Sequence, residues 1–158
     1  MIKRSVMTKE GNYIQYSSLC IRLMTGFGFA AHGWAKISRG TQGFEKLLLQ
    51  TGMPFAHASS LIVPYLELIG GIFVLLGIFV SIISIPLIVT MLVAMFTIQI
   101  HYGFSSVNTI GLTPQGPKFG PPGYEINLLY ISCLISLILT GSGKFSVDNL
   151  INKIKLKE

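Results

Sequence analysis

The feature that most constrains this chain is a run of 50 consecutive residues without a formal charge, from Leu68 to Pro117. Between Leu47 and Gly143 only three residues are charged, namely Glu67, Lys118 and Glu125. A soluble domain needs a charged surface to stay dispersed, and charged residues average about 25% of such domains. In these 158 residues they make up 11%. The sequence therefore predicts a chain embedded in a lipid bilayer and excludes an ordinary cytosolic enzyme.

Four segments are long enough to cross a bilayer, because a hydrocarbon core of about 30 Å needs about 20 apolar residues in a helix. They cover roughly 17–37, 59–80, 84–102 and 124–140. The second and third form one apolar run, in which Gly77 offers a turn and Pro86 is suited to the first turn of the next helix. We predict an all-α, polytopic membrane protein. Its four-transmembrane-helix bundle spans residues 17–141, with an N-terminal tail at 1–16 and a basic C-terminal tail at 142–158.

The distribution of Lys and Arg predicts the orientation of the chain, because cytoplasmic segments carry an excess of both. The two tails hold seven of these residues, and the segments that precede the second and fourth spans hold four. Both termini are therefore predicted to be cytoplasmic, with the long loops 38–58 and 103–123 outside. The net charge of +6 is concentrated at the chain ends and forms no central patch, so no nucleic-acid partner is expected.

The two long loops differ in composition. The first contains an amphipathic segment at 44–49 that is suited to the membrane interface. The second is rich in Gly and Pro, and we expect it to form neither a helix nor a strand but an ordered strap or lid. It is either a simple connector or a cap over the outer mouth of the bundle.

Polar and small residues follow one face of each predicted span when helical residues are placed at about 100° intervals. Such faces allow helices to approach closely in lipid, so we expect them to point into the bundle. The residues on these faces are Arg22, Gly26, Phe29, Gly33 and Lys36 in the first span, Glu67, Gly71, Val74 and Ser81 in the second, Thr90, Ala94, Thr97 and His101 in the third, and Glu125, Ser132 and Ser136 in the fourth.

Titratable residues within these spans define a candidate site. Arg22 lies nearer the cytoplasmic side. The other five are predicted to converge on the outer half of the bundle, namely His32, Lys36, Glu67, His101 and Glu125. Charges inside a membrane are costly, so the set favours a polar pocket, open outward, that binds a small molecule or moves protons. We assign catalytic roles to His101, Glu67 and His32, and substrate binding to Arg22, Lys36 and Glu125.

A structural interpretation of the same residues stays open. In it, Arg and Lys extend toward the membrane surface, and Glu67 forms an ion pair with one of them. The histidines are then interfacial. No His or Glu spacing typical of a metal site occurs, so no metal is predicted.

An ordered set of motifs runs along residues 17–150. It comprises Arg22…Gly26…His32-Gly33-x-x-Lys36, then Gly52-Met53-Pro54, Glu67-x-x-Gly70-Gly71, His101, Gly123-Tyr124-Glu125-Ile126-Asn127 and Gly141-Ser142-Gly143…Asp148. Taken together, these motifs resemble the DoxX family of small four-helix membrane proteins of bacteria and archaea, and the resemblance implies a multi-pass protein of a bacterial inner membrane. The resemblance implies a membrane oxidoreductase, since relatives are linked to thiosulfate oxidation with quinone as acceptor, to quinone and catechol resistance, and to oxidative-stress complexes.

The chain has no haem, flavin or iron–sulfur signature of its own. Our leading hypothesis is therefore a membrane subunit of a quinone-linked oxidoreductase system, with a quinone as candidate cofactor or substrate. The expected partners are the lipid bilayer and a soluble or membrane oxidoreductase subunit, and the Gly-rich faces would also allow a homo-oligomer. The alternatives are a small-solute or proton transporter, a scaffold that recruits a soluble redox partner, and a purely structural protein.

Overall fold

Helices account for most of the chain in the computed structural model, which describes residues 2–155 and the side chains of residues 16–154. In chain order the elements are α1 (Ile2–Ser38), α2 (Thr41–Gln50), α3 (Ala56–Leu76), α4 (Val80–Thr97), a short 3₁₀ helix (Gln99–Tyr102), β1 (Thr109–Thr113), β2 (Gly116–Phe119), α5 (Glu125–Thr140) and α6 (Val147–Lys155). The predicted helical class is confirmed, with a small hairpin added to it.

Two of these helices, α3 and α4, are both long enough and apolar enough to cross a membrane. The α5 helix is apolar but has only 16 residues. The α1 helix has 37 residues and already begins at Ile2, so most of the segment predicted as an N-terminal tail continues the first helix.

The turn between α3 and α4 lies earlier than Pro86. Gly77 ends α3 in the left-handed conformation, with φ of 74°, and α4 begins at Val80. The Asp148 carboxylate accepts the backbone N–H of Phe79 at 3.1 Å, just before α4 starts. Pro86 is therefore inside α4, and the prediction that it occupies the first turn of this helix is wrong. The hydrogen bond from the distant Asp148 helps to fix where α4 begins.

The helices α1, α3, α4 and α5 pack as a closed ring, each against two of the others. The core between them consists of Phe29, Val74, Val80, Leu87, Leu134 and Leu137, none of which is more than 1% exposed. The α1 and α3 backbones approach closely at glycines: a Cβ added to Gly33 would lie 2.5 Å from the Pro64 carbonyl oxygen, and one added to Gly71 would lie 2.4 Å from the Ala30 nitrogen. Glycine is thus required at both positions.

The outer faces of the ring are apolar, and several buried residues are polar. The side chains of Met24, Phe27, Ile62, Ile82 and Leu139 are each more than 60% exposed. The buried polar residues are Ser18, Arg22, Thr25, Ser60, Glu67, Ser84, Asn127 and Ser146. Large exposed apolar areas are rare on soluble monomers and mark surfaces that contact a membrane or a partner, so this surface is suited to lipid.

The α5 helix packs with a different face from the one predicted. Its buried residues are Asn127, Ile131, Leu134 and Leu137, whereas Ser132 is exposed. The Ser132 hydroxyl donates to the Leu128 carbonyl of its own helix at 2.8 Å. A serine satisfied in this way does not need the bundle interior, so the predicted polar face of the fourth span is wrong.

The loop between α4 and α5 contains an antiparallel hairpin, so the prediction that it has no strand is wrong. Thr109 pairs with Phe119, and Thr113 pairs with Gly116 across the turn at Pro114 and Gln115. Pro117 is acceptable within β2 because both strands of a two-stranded sheet are edge strands. The ends of the loop are joined by backbone hydrogen bonds from Gly120 to Asn108 and from Gly123 to Ser105.

Candidate functional site

The candidate site begins with an ion pair between two neighbouring helices. Lys36 lies in the last turn of α1 and Glu67 in the middle of α3, and the Lys36 Nζ donates to the Glu67 Oε2 at 2.5 Å. The Glu67 side chain is 3% exposed and the Lys36 side chain 27%. Gly33 lies about one turn before Lys36, and the close helix contact that it permits brings the two side chains within reach.

The ion pair lies in the wall of a large cavity. The cavity has a volume of about 1040 Å³ and is bounded by α1, α2, α3, α4 and α5. Its walls are mainly apolar, with residues such as Val89, Val93 and Ile126. Polar groups interrupt them at His32, Lys36, Glu67, Thr90, Thr97, Gln99, Asn127 and Tyr130. Such a mixture is typical of small-molecule sites, in which a few polar groups fix the orientation of a largely apolar ligand.

The α2 helix covers one side of this cavity. Leu48 is 3% exposed, and Phe44 and Leu47 also line the cavity. The Phe44 ring centre is 4.8 Å from the Lys36 Nζ, so the ammonium has a cation–π contact in addition to its ion pair. The amphipathic segment predicted in the first loop is therefore a helix, and its apolar side closes the site.

Three polar residues of the cavity were missed by sequence reasoning about site residues. Asn127 donates from Nδ2 to the Met91 carbonyl at 3.3 Å, and the Gln99 Oε1 is buried without a hydrogen-bond partner among the described residues. The Tyr130 ring is 5.1 Å from the Phe29 ring and 6.4 Å from the His32 ring, measured between centroids. The sequence did contain a signal for Asn127, because this residue belongs to the motif Gly123–Asn127. In the structure it is the one polar residue on the buried face of α5.

His101 and Glu125 do not line the cavity. His101 is exposed on the short 3₁₀ helix, because α4 ends at Thr97 and the 100° spacing no longer holds beyond it. The Glu125 Oε2 accepts two hydrogen bonds from Ser106, one from its N–H and one from its hydroxyl, both at 2.8 Å. Of the five groups predicted to converge, only His32, Lys36 and Glu67 line the same cavity.

Arg22 lies away from the ion pair, beside Gly77 at the end of α3 and beside Ser146. It is 1% exposed, and its Nη2 donates to the Phe145 carbonyl at 2.5 Å. Its Nε and Nη1 have no hydrogen-bond partner among the described residues. Arg22 thus ties the segment between α5 and α6 to α1, and it does not contact the cavity to which substrate binding was assigned.

The chemistry available in the cavity is that of hydrogen bonding and fixed charge. Lys36 and Tyr130 carry donors, Glu67 and Gln99 carry acceptors, and apolar walls surround them. Within residues 16–154, no group of three or more His, Cys, Asp or Glu side chains lies close enough to hold a metal ion. The arrangement can hold a largely apolar molecule that carries a few polar atoms.

Comparison with known proteins gives two matches. A family model described as DoxX matches residues 17–100. A Bacillus subtilis (strain 168) protein named "Putative oxidoreductase CatD" is 27% identical over 141 residues, which cover 89% of this chain and 91% of that protein. No solved structure matches the chain.

Proposed function

Because this chain belongs to the DoxX family, we propose that it is the membrane subunit of a quinone-linked oxidoreductase system and that its cavity binds a quinone. The observation that carries the proposal is the cavity of about 1040 Å³, which has apolar walls and the ion pair between Lys36 and the buried Glu67. Ligand sites of this kind usually measure about 300–1,000 Å³. The oxidoreductase description of the B. subtilis relative supports a redox role.

The proposal includes a membrane topology in which α1, α3, α4 and α5 cross a bacterial inner membrane and both termini are cytoplasmic. The apolar outer faces and the lengths of α3 and α4 support this arrangement. The excess of Lys and Arg in the two terminal segments supports the orientation. The cavity and α2 then lie toward the outer surface, and α6 lies at the inner surface.

Lys36 and Glu67 have complementary roles in this proposal. The Lys36 ammonium donates to a quinone carbonyl and stabilises the negative charge that develops on its oxygen during reduction, as preorganised cations do in other sites. Glu67 holds that ammonium in place and moves a proton, and His32 exchanges protons with the outside. Reduction of a quinone to a quinol takes up two electrons and two protons, and the electrons come from an oxidoreductase partner.

The test is titration of the purified, detergent-solubilised chain with a short-chain quinone, comparing Lys36→Met and Glu67→Gln with the wild type. We expect each substitution to weaken binding at least about tenfold, which corresponds to the loss of one charge-assisted hydrogen bond. His101→Ala and Glu45→Gln are the matched controls, because they change a His and a Glu outside the cavity. Both should bind quinone within about twofold of the wild type.

Equal affinity in all five proteins, or no binding by the wild type, would show that the cavity is not a quinone site. An uptake assay in vesicles distinguishes a transporter from a redox subunit. Solute or proton uptake that needs Glu67 and proceeds without any quinone would replace the redox proposal with transport.

A further inference from the structure

The α6 helix is amphipathic, and much of its apolar side is exposed. Placed at 100° per residue, its four apolar residues fall within a sector about 100° wide. Leu150, Ile151 and Ile154 are 59%, 43% and 61% exposed, and Phe145 just before the helix is 54% exposed. Helices with one apolar and one basic face are suited to lie in the interface of a membrane.

The start of α6 is held firmly against the helix bundle. The Asp148 N–H donates to the Gly77 carbonyl at 3.2 Å, and the Asp148 carboxylate accepts the Phe79 N–H at 3.1 Å. Ser146 is 3% exposed, and its hydroxyl accepts the Asn149 N–H at 3.1 Å, which caps the helix. The exposed apolar face therefore has a fixed position beside the turn between α3 and α4.

A basic pocket lies next to this face. It has a volume of about 340 Å³ and is lined by Gly143, Lys144, Asn149 and Lys153. The Asn149 Nδ2 donates to the Lys144 carbonyl at 2.6 Å and so holds the two sides of the pocket together. Both lysine side chains are exposed, and neither forms an ion pair with a described residue. The Asp148 carboxylate is directed to the turn between α3 and α4 instead.

We propose that this pocket binds the phosphate headgroup of an anionic phospholipid in the inner leaflet, while Leu150 and Ile154 insert among its acyl chains. The positive charges of Lys144 and Lys153 complement the negative phosphate. The exposed apolar face beside the pocket favours a ligand with acyl chains over a free anion. The site rests on the membrane topology proposed above and is independent of the ligand in the central cavity.

Native mass spectrometry of the full chain in a neutral detergent tests the site directly. Phosphatidylglycerol and the zwitterionic phosphatidylcholine are titrated into the wild type and into Lys144→Gln/Lys153→Gln. Each lysine near an anionic surface contributes roughly a fivefold gain in affinity, so we expect the double variant to bind phosphatidylglycerol about 30-fold more weakly. Phosphatidylcholine should bind weakly and equally to both proteins.

The matched control is Lys46→Gln/Lys118→Gln, which removes the same charge from exposed positions on α2 and β2. It should keep the wild-type affinity, and so should Lys144→Arg/Lys153→Arg. Equal losses in the two Gln variants, or equal binding of the two lipids by the wild type, would overturn the proposal. Competition by inorganic phosphate at the same concentration as the lipid would assign the pocket to a free anion instead. Quinone titration of the same samples shows whether a loss of lipid binding at the basic pocket occurs without a loss of quinone binding in the central cavity.

Discussion

At the scale of single residues, the Lys36–Glu67 pair combines a structural and a chemical role. Its carboxylate is almost fully buried, whereas its ammonium keeps partial contact with the cavity. A buried carboxylate needs a partner, because an isolated charge in a medium of low dielectric constant costs several kcal/mol. Because both residues line the cavity, the pair also places a fixed cation where a ligand oxygen can reach it.

Removal of one partner of the Lys36–Glu67 pair should destabilise the protein. Lys36→Met leaves the Glu67 carboxylate buried without its partner, and we expect the free energy of unfolding to fall by about 3 kcal/mol. In Lys36→Met/Glu67→Met no buried charge remains, so most of the loss should be recovered. The measurement is unfolding by sodium dodecyl sulfate in mixed micelles, followed by circular dichroism.

The Glu45–His57 pair provides the control for this experiment. Its atoms are 3.0 Å apart, but the His57 side chain is 75% exposed, so Glu45→Gln should cost less than about 1 kcal/mol. Strictly additive losses in the Lys36 and Glu67 double variant would contradict a coupled pair.

At the scale of secondary-structure elements, the contact between α1 and α3 positions the site. Their backbones meet at Gly26, Gly33 and Gly71, where an added Cβ would lie within 2.7 Å of backbone atoms of the facing helix. Small residues at helix contacts are typical of membrane bundles, because van der Waals packing is a main force between helices in lipid. The register of this contact determines that Lys36 meets Glu67.

Alanine substitutions test this contact. Gly33→Ala and Gly71→Ala must push the helices apart, and we expect each to lower the free energy of unfolding by about 2 kcal/mol or more, as overpacked cores do. Gly33→Ala should also weaken quinone binding, because it displaces Lys36. Unfolding in mixed micelles and the quinone titration give the two measurements.

Gly43 on α2 is the matched control, because nothing lies within 4 Å of a Cβ added there. Gly43→Ala should raise the free energy of unfolding by about 0.5–1 kcal/mol, since alanine has the higher helix propensity. If all three substitutions had the same effect, close packing of α1 on α3 would not explain these glycines.

At the scale of the whole molecule, the ring of four helices has two different ends. One end carries α2, the hairpin and the cavity, and the other carries the turn between α3 and α4, the buried Arg22 and α6. In the proposed topology, the first end takes up a ligand from outside the cell, and the second contacts the inner leaflet.

Labelling of single cysteines tests this topology. In a chain without Cys20 and Cys133, Gln115→Cys in the hairpin turn should react with a membrane-impermeant maleimide in intact spheroplasts. Asn152→Cys on α6 should react only after the membrane is permeabilised. The opposite pattern would invert the orientation, and equal labelling of both sites in intact cells would contradict a membrane-spanning bundle.

The sequence by itself determined the membrane location, the helical class and the inward faces of the helices that hold Arg22 and Glu67. It could do so because a long stretch without charged residues is suited to lipid and not to water, and because polar and small residues follow the helical period on the faces that hold Arg22 and Glu67. Only the tertiary structure decided that Glu67 pairs with Lys36 and not with Arg22, that α5 buries Asn127 instead of Ser132, and that His101 lies outside the cavity. Helix rotation, helix ends and capping by distant residues such as Asp148 arise from packing, which no local pattern contains.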